Sequence, residues 1–328
     1  MGLIRNKKGV VFTVLAIVIA VFFTLTFSAR IEKPIDYKTS LIEVRISVLN
    51  DYMKNFFDYA NGVGAITGYS AFQGVIQDLN LPPKGYNPNL EAQYIRCIKT
   101  GNLTPSKICP GMSNKTLTYY LDRIRNIANN ELNLNSNYII NKINITQTTD
   151  AFSIELIINL SLNIMDAYAN LSDTRIVTTI VSLEGLLDPL YLLNGTYNQT
   201  IKKTNLKRRE GDWNHTDFQQ LYYNHEYRNY KNATSFINRI KGNFSPNVFG
   251  IESFVNHTAP GVQGVYTSNH SMVDYFYWQD IRFRCRNPVE VVNISSAIIS
   301  PGGFQLDETH RLGFNISNAY TNFTCSQE

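Results

Sequence analysis

Charge is scarce in this chain. Only 17% of its 328 residues are Asp, Glu, Lys or Arg, against roughly a quarter in an average soluble protein, and 30 basic against 26 acidic residues leave a net charge of +4. The basic residues form no dense stripe, so nucleic acid is not expected as a partner. Catalytic motifs are missing as well: there is no H-E-x-x-H, G-x-S-x-G, G-x-G-x-x-G or G-x-x-x-x-G-K-[ST]. Four cysteines without a C-x-x-C spacing argue against zinc, and no cofactor or metal is expected. Of the five histidines, only His225 beside Glu226 and His310 after Asp307-Glu308 stand where an acid/base pair is conceivable, so a cell-surface hydrolase ranks behind non-enzymatic readings. Yet 44% of the residues are apolar and 12% aromatic, too many for a disordered chain.

Long apolar runs are also absent, with one exception. Val10 to Ser28 holds nineteen residues without charge, Gly or Pro, long enough for the ~30 Å hydrocarbon core of a bilayer. Arg5, Lys7 and Lys8 precede it, while Arg30 and Lys33 behind it are balanced by Glu32 and Asp36, so the N-terminus should stay inside and the bulk outside. A cleaved secretory signal is the rival, although its apolar region is normally 7–15 residues. After the run, Ile31, Ile35, Thr39, Ile42, Ile46, Leu49, Met53, Phe56, Ala60 and Val63 repeat at heptad spacing. This predicts a stalk helix ending in Asn61-Gly62-Val63-Gly64, its stripe meeting other copies of the chain or buried against the chain's own globular part.

Asparagine supplies what charge does not. There are 37, and fifteen open an Asn-x-Ser/Thr sequon: Asn102, Asn114, Asn144, Asn159, Asn170, Asn194, Asn198, Asn214, Asn232, Asn243, Asn256, Asn269, Asn293, Asn315 and Asn322. Chance placement of the 46 Ser and Thr residues predicts about five, and none of the seven asparagines before residue 101 is in a sequon. N-glycans on an extracellular surface are the expected partners of these residues. In the run from Phe152 to Ile164 the even positions are apolar and the odd ones polar except Ile157, which places Asn159 on the outer face of a strand. Ile139, Ile143 and Ile145 are expected on one face of the preceding strand, with Lys142 and Asn144 on the other.

An oxidising exterior makes Cys97, Cys109, Cys285 and Cys325 disulfide candidates, and proximity favours Cys97 with Cys109 and Cys285 with Cys325. Leu117, Leu121, Ile124, Ala128 and Leu132 mark an amphipathic helix capped by Ser113 or Thr116. Strands are expected at 137–147, 151–165 and 174–184, with turns at Thr148-Thr149-Asp150 and Asn170-Leu171-Ser172-Asp173, forming an antiparallel meander under the helix. Residues 195–211 carry Lys202, Lys203, Lys207, Arg208 and Arg209 and read as an exposed linker, either solvated or docking on anionic headgroups. Beyond it, Tyr222, Tyr223, Tyr227, Tyr230 and Tyr275-Phe276-Tyr277-Trp278 read as the core of a second small domain, or as a platform for a ligand.

The leader Arg5-Asn6-Lys7-Lys8-Gly9 followed by Val10-Val11-Phe12-Thr13-Val14-Leu15 resembles the class III signal of type IV pilin-like proteins. The resemblance implies cleavage between Gly9 and Val10 and assembly through the helix, although Val14 stands where bacterial pilins carry Glu. The helix followed by an antiparallel meander also looks pilin-like. Five blocks, Arg45 to Tyr52, Leu186 to Tyr191, Ser235 to Ile240, Gly250 to Asn256 and Val273 to Tyr277, are similar to archaeal single-pass surface proteins with a KKG-apolar leader, a family without an established activity to carry over.

Together these readings predict an α+β chain: leader 1–9, transmembrane helix 10–28, helical stalk 29–63, pilin-like domain 64–194, linker 195–211 and a second small α+β domain 212–328. The expected function is that of an N-glycosylated surface protein held in the lipid bilayer and self-associating through its N-terminal helix. A tethered adhesin or receptor that binds a ligand through its C-terminal aromatic region is the alternative.

Overall fold

The computed structural model describes Ile19 and residues 37–82, 84–194, 198–256, 271–278, 291–294, 305–316 and 319–323. They form a mixed α+β fold with antiparallel sheets. The apolar run 10–28 lies outside these residues apart from Ile19, and no described helix is long and apolar enough to cross a membrane. Two units are distinguished, Met1–Tyr52 with Ala167–Ala169, and Met53–Asp166 with Asn170–Glu328.

Helix α1 (Tyr37–Leu79) dominates the first half of the chain. In the first unit its residues Ile42, Val44 and Ile46 are exposed, while Leu49 and Tyr52 are buried. In the second unit Met53, Phe56, Ala60 and Val63 continue the stripe and are all buried within the fold of this chain. The helix does not stop at Asn61-Gly62-Val63-Gly64 but runs fifteen residues further, to Leu79. The reason is packing: a Cβ on Gly64 would stand 2.8 Å from Thr179 Cγ2, and one on Gly68 2.6 Å from Val181 Cγ2. These glycines let the helix backbone settle directly onto the meander, at a helix-propensity cost of roughly 1 kcal/mol each.

Helix α2 (Leu90–Thr100) was not anticipated, although Leu90, Tyr94, Cys97 and Ile98 follow a helical repeat and are buried. Tyr94 stacks on Phe72 of α1 at 4.0 Å and its hydroxyl donates to the Gly68 carbonyl at 3.1 Å. The hairpin β1 (Asn102–Thr104) and β2 (Lys107–Ile108) is tied back to α2 by the Cys97–Cys109 disulfide, the pairing expected from proximity, with Cα atoms 5.7 Å apart. Helix α3 (Leu117–Glu131) begins as expected, with the Thr116 hydroxyl accepting from the Tyr119 amide at 3.0 Å.

Strands β3 (Asn135–Thr146), β4 (Ser153–Met165) and β5 (Asn170–Ser182) form the meander in sequential antiparallel order. In β4 every even position from Ile154 to Ile164 is buried, as the alternation requires. Two expectations need correction. A register shift between Ile140 and Lys142 reverses the phase of β3, so Ile140 and Ile143 point inward and Ile139 is 60% exposed. The turn before β5 falls at 166–169, and Asn170 to Asp173 are already strand, paired with Met165 to Leu162.

After β5 the elements shorten to a few residues each: α4 (Pro189–Asn194), α5 (His215–Asn224), β6 (Arg228–Asn229), α6 (Phe236–Lys241), β7 (Ile251–Glu252), α7 (Asp274–Tyr277), β8 (Val291–Ile294), β9 (Gln305–Asp307), α8 (Glu308–Gly313) and β10 (Ala319–Phe323). Strands β10, β8 and β9 make an antiparallel sheet in that order. The segment expected as a linker is woven into the fold instead: Ile201 exchanges backbone hydrogen bonds with Gly185 and Leu186, and Tyr227 with Lys202 and Thr204. Three of its five basic side chains are paired as well, Lys202 with Glu226, Lys203 with Asp150, and Arg208 with Asp217. No boundary between two compact domains therefore falls in the described part of 195–211.

Candidate functional site

Eleven sequon asparagines have described side chains. Asn114, Asn144, Asn170, Asn198, Asn232, Asn243 and Asn315 are exposed, and Asn102, Asn159 and Asn214 are half-buried. Asn214 also caps α5, its side-chain oxygen accepting from the Thr216 and Asp217 amides at 2.9 and 3.1 Å. Asn256 differs from the others: it is buried and accepts from the Tyr222 hydroxyl at 3.0 Å. The side chains of Asn194, Asn269, Asn293 and Asn322 lie outside the described residues, as do Gly9, Val10, Cys285 and Cys325.

A second site is not on the surface at all. Asp188 caps the start of α4 through the Leu190 amide, 2.9 Å from its Oδ1, and Arg239 sits in the short helix α6 fully buried. The guanidinium joins two carboxylates, Nη1 donating to Asp188 Oδ2 at 2.5 Å and to Asp274 Oδ2 at 2.8 Å, while Nη2 donates to the Ile251 carbonyl and to Asp274 Oδ1. The Tyr227 hydroxyl also donates to Asp188 Oδ2, at 2.9 Å, and the Ser253 amide and hydroxyl donate to Asp274 Oδ2 at 3.0 and 2.8 Å. Burial and the nearby Asp188 carboxylate push Asp274 up to about 6 against the pull of Arg239.

One residue further along, the same strands carry a second cluster. Arg228 and Glu252 are cross-strand partners in β6 and β7, joined at 2.5 Å, and the Arg228 guanidinium lies 4.2 Å from the Phe314 ring centre, 4.8 Å from Trp213 and 4.9 Å from Tyr230. The other oxygen of Glu252 faces His310 Nε2 at 3.0 Å, and His310 Nδ1 faces Asp307 Oδ1 at 2.7 Å. Burial by itself would lower the imidazole, but the two carboxylates outweigh it and push His310 up to about 10. Glu252 and Asp307 are held below the usual carboxylate range because Arg228 and His310 overcome the effect of burial. The Ser271 hydroxyl donates to Asp307 Oδ2 at 2.7 Å rather than to the histidine. An imidazolium with both nitrogens committed to carboxylates has no lone pair to take a proton from a nucleophile. The geometry is that of a clamp.

His225, the other histidine singled out, lies half-buried at the end of α5, its basicity lowered by burial and by Lys202. His310 belongs to the network but His225 does not, so the structure does not bring them together. Arg228, Arg239, Asp188, Glu252 and Asp274 were not identified from sequence as a site. A signal was present: Asp188, Arg239, Glu252 and Asp274 are each the one charged residue of a short block, 186–191, 235–240, 250–256 and 273–277.

Tyr222, Tyr227, Tyr275, Tyr277 and Trp278 are buried, so these rings form core rather than a stacking platform. Among the described residues no group of three or more His, Cys, Asp or Glu side chains is arranged to hold a metal ion. A groove of about 530 Å3 beside Tyr119, Asp122 and Ile127 of α3 includes no residue of the network. The chain matches no protein-family model, no curated protein and no solved structure.

Proposed function

We propose that this chain is a non-enzymatic, N-glycosylated surface protein, anchored by residues 10–28 with its N-terminus inside and assembled through its N-terminal helix. The observation that carries the reading is the placement of the sequons: seven of the eleven described acceptor side chains are exposed, and one is buried. Saccharides at these positions supply the hydration that so few charges leave wanting. The Cys97–Cys109 disulfide fits an oxidising exterior. A long helix lying on an antiparallel meander fits the pilin-like arrangement implied by the leader. Exposed Ile42, Val44 and Ile46 offer an apolar surface for self-association. The burial of His310 and its two carboxylates favours a structural role over hydrolysis. The alternative adhesin reading loses support because most of its aromatic residues are inside.

Glycopeptide mass spectrometry on protein from native membranes, with N-terminal sequencing and protease shaving of intact cells, tests the reading. Glycans on the exposed sequons and shaving of the region after residue 101 are expected; bare asparagines throughout and full protection from the protease would overturn it. Ile46→Asp tests the assembly separately, and an unchanged oligomeric state would remove self-association while leaving the anchor and glycans.

A further inference from the structure

Among the described residues, the outer face of the meander keeps several apolar side chains exposed. Ile139, Ile176 and Ile180 stand on it at 60%, 69% and 52% exposure, among Asn, Ser and Thr side chains, with Ile157 and Met165 of β4, Lys142 opposite Asn159 and Glu155 opposite Ile180. Asn159, opening the sequon Asn159-Leu160-Ser161, is on the same face of the middle strand and directly opposite Ile176 of β5. Ser161, the hydroxyl of that sequon, is directly opposite Ile139 of β3. The sequon is held in a fixed pose. Asn141 Nδ2 donates to Asn159 Oδ1 at 3.1 Å and to Ser161 Oγ at 2.8 Å, and Ser161 Oγ is bonded to Thr174 Oγ1 at 2.7 Å. With its oxygen engaged, Asn159 keeps Nδ2, the atom that N-glycosylation modifies, without a hydrogen bond to the described residues.

We propose that the first saccharide on Asn159 is a structural element of the fold, lying with its C–H face against Ile176 and covering the apolar part of the outer sheet. The inference rests on the glycoprotein reading above. Directly opposed side chains in an antiparallel pair are about 5 Å apart, comparable to the width of a pyranose ring, so a sugar joined to Asn159 reaches Ile176 without a long linker. The covalent tether makes the contact intramolecular and so effective even where a free sugar would bind weakly. A protein partner fits this face less well, because the acceptors Asn144 and Asn170 border it and their glycans stand in the approach path.

A thermodynamic cycle on the full chain purified from native membranes tests the proposal, combining Asn159→Gln with Ile176→Thr and reading melting temperature, with glycopeptide masses determined for each protein. Asn159→Gln is expected to lower the melting temperature by roughly 3 °C, and Ile176→Thr to cost a similar shift only when the glycan is present. Ser161→Ala, which removes the sequon from its other end, replaces Asn159→Gln if that variant does not fold. Additive shifts with Asn159 occupied would overturn the proposal. A bare Asn159 beside occupied Asn114, Asn144 or Asn170 would overturn it while leaving the glycoprotein reading intact. Bare asparagines throughout would end both.

Discussion

Leu160 in strand β4 and Arg239 in helix α6 are both fully buried in the same compact unit, and they are buried for opposite reasons. Leu160 belongs to a strand whose inward positions are all apolar, so removing it from water stabilises the fold directly, by about 1.5–3 kcal/mol for a side chain of this size. Arg239 gains nothing from leaving water. It is tolerated because Asp188 and Asp274 lie against it, and those carboxylates are tolerated because of Arg239, Tyr227 and Ser253. The described residues of 53–182 are held chiefly by apolar area, whereas the described residues of 185–316 add to their apolar core a network of mutually dependent charges. The first kind of core degrades gradually when trimmed. The second fails when one member is withdrawn.

The largest effect that would sharpen this contrast is expected from Arg239→Ala, which leaves two carboxylates buried without their cation. A loss of about 3–5 kcal/mol is expected in urea unfolding, with proteolysis opening the part after β5 before the meander. A loss under about 1 kcal/mol would mean that the network carries little of the stability.

His310 gives a pH signature. Its folded-state basicity is raised from 6.5 to about 10, so its contribution is fully present below pH 6.5 and is lost as pH rises through about 10. Glu252 and Asp307 are lowered, so their contribution is present above the ordinary carboxylate range and lost as pH falls. His310→Gln should therefore destabilise the protein by a few kcal/mol at pH 6 and by much less at pH 10, measured by denaturant melts across that range. An equal loss at both pH values would show that His310 is not charged in the fold.

Glycines provide the smallest and cleanest test of the area-held region. A Cβ on Gly68 meets Val181 Cγ2 at 2.6 Å, whereas one on Gly62 meets nothing within 4 Å. Gly68→Ala should cost about 1–3 kcal/mol and Gly62→Ala should stabilise by about 0.5–1 kcal/mol, both read from thermal melts. If both substitutions stabilise, close approach is not why α1 carries glycine.

The same contrast explains what could be read beforehand. Alternation in β4, the Thr116 cap and the Cys97–Cys109 staple are local, each spelled out within a dozen or so residues, and each was legible. Gly64 misled because its role depends on Thr179, more than a hundred residues away. The phase of β3 was obscured by a single register shift at Ile140 to Lys142. After β5, no element is long enough to show a period, and the contacts that decide the fold join Asp188 to Arg239 across 51 positions and Glu252 to His310 across 58. Nothing in the neighbourhood of Asp188 announces its partner. A lone charge inside each of these short blocks is the one local clue.

The span of the network also orders events during synthesis. The three strands of the meander are complete once residue 182 has been made. Asp188 appears six residues later and must wait 51 more for Arg239, and Glu252 must wait 58 for His310. A growing chain thus carries the strands of the meander while Asp188 waits for Arg239 and Glu252 waits for His310. A chain stopped near residue 300 would hold Glu252 without His310, so a truncated copy differs from a full one by a buried charge left without its partner.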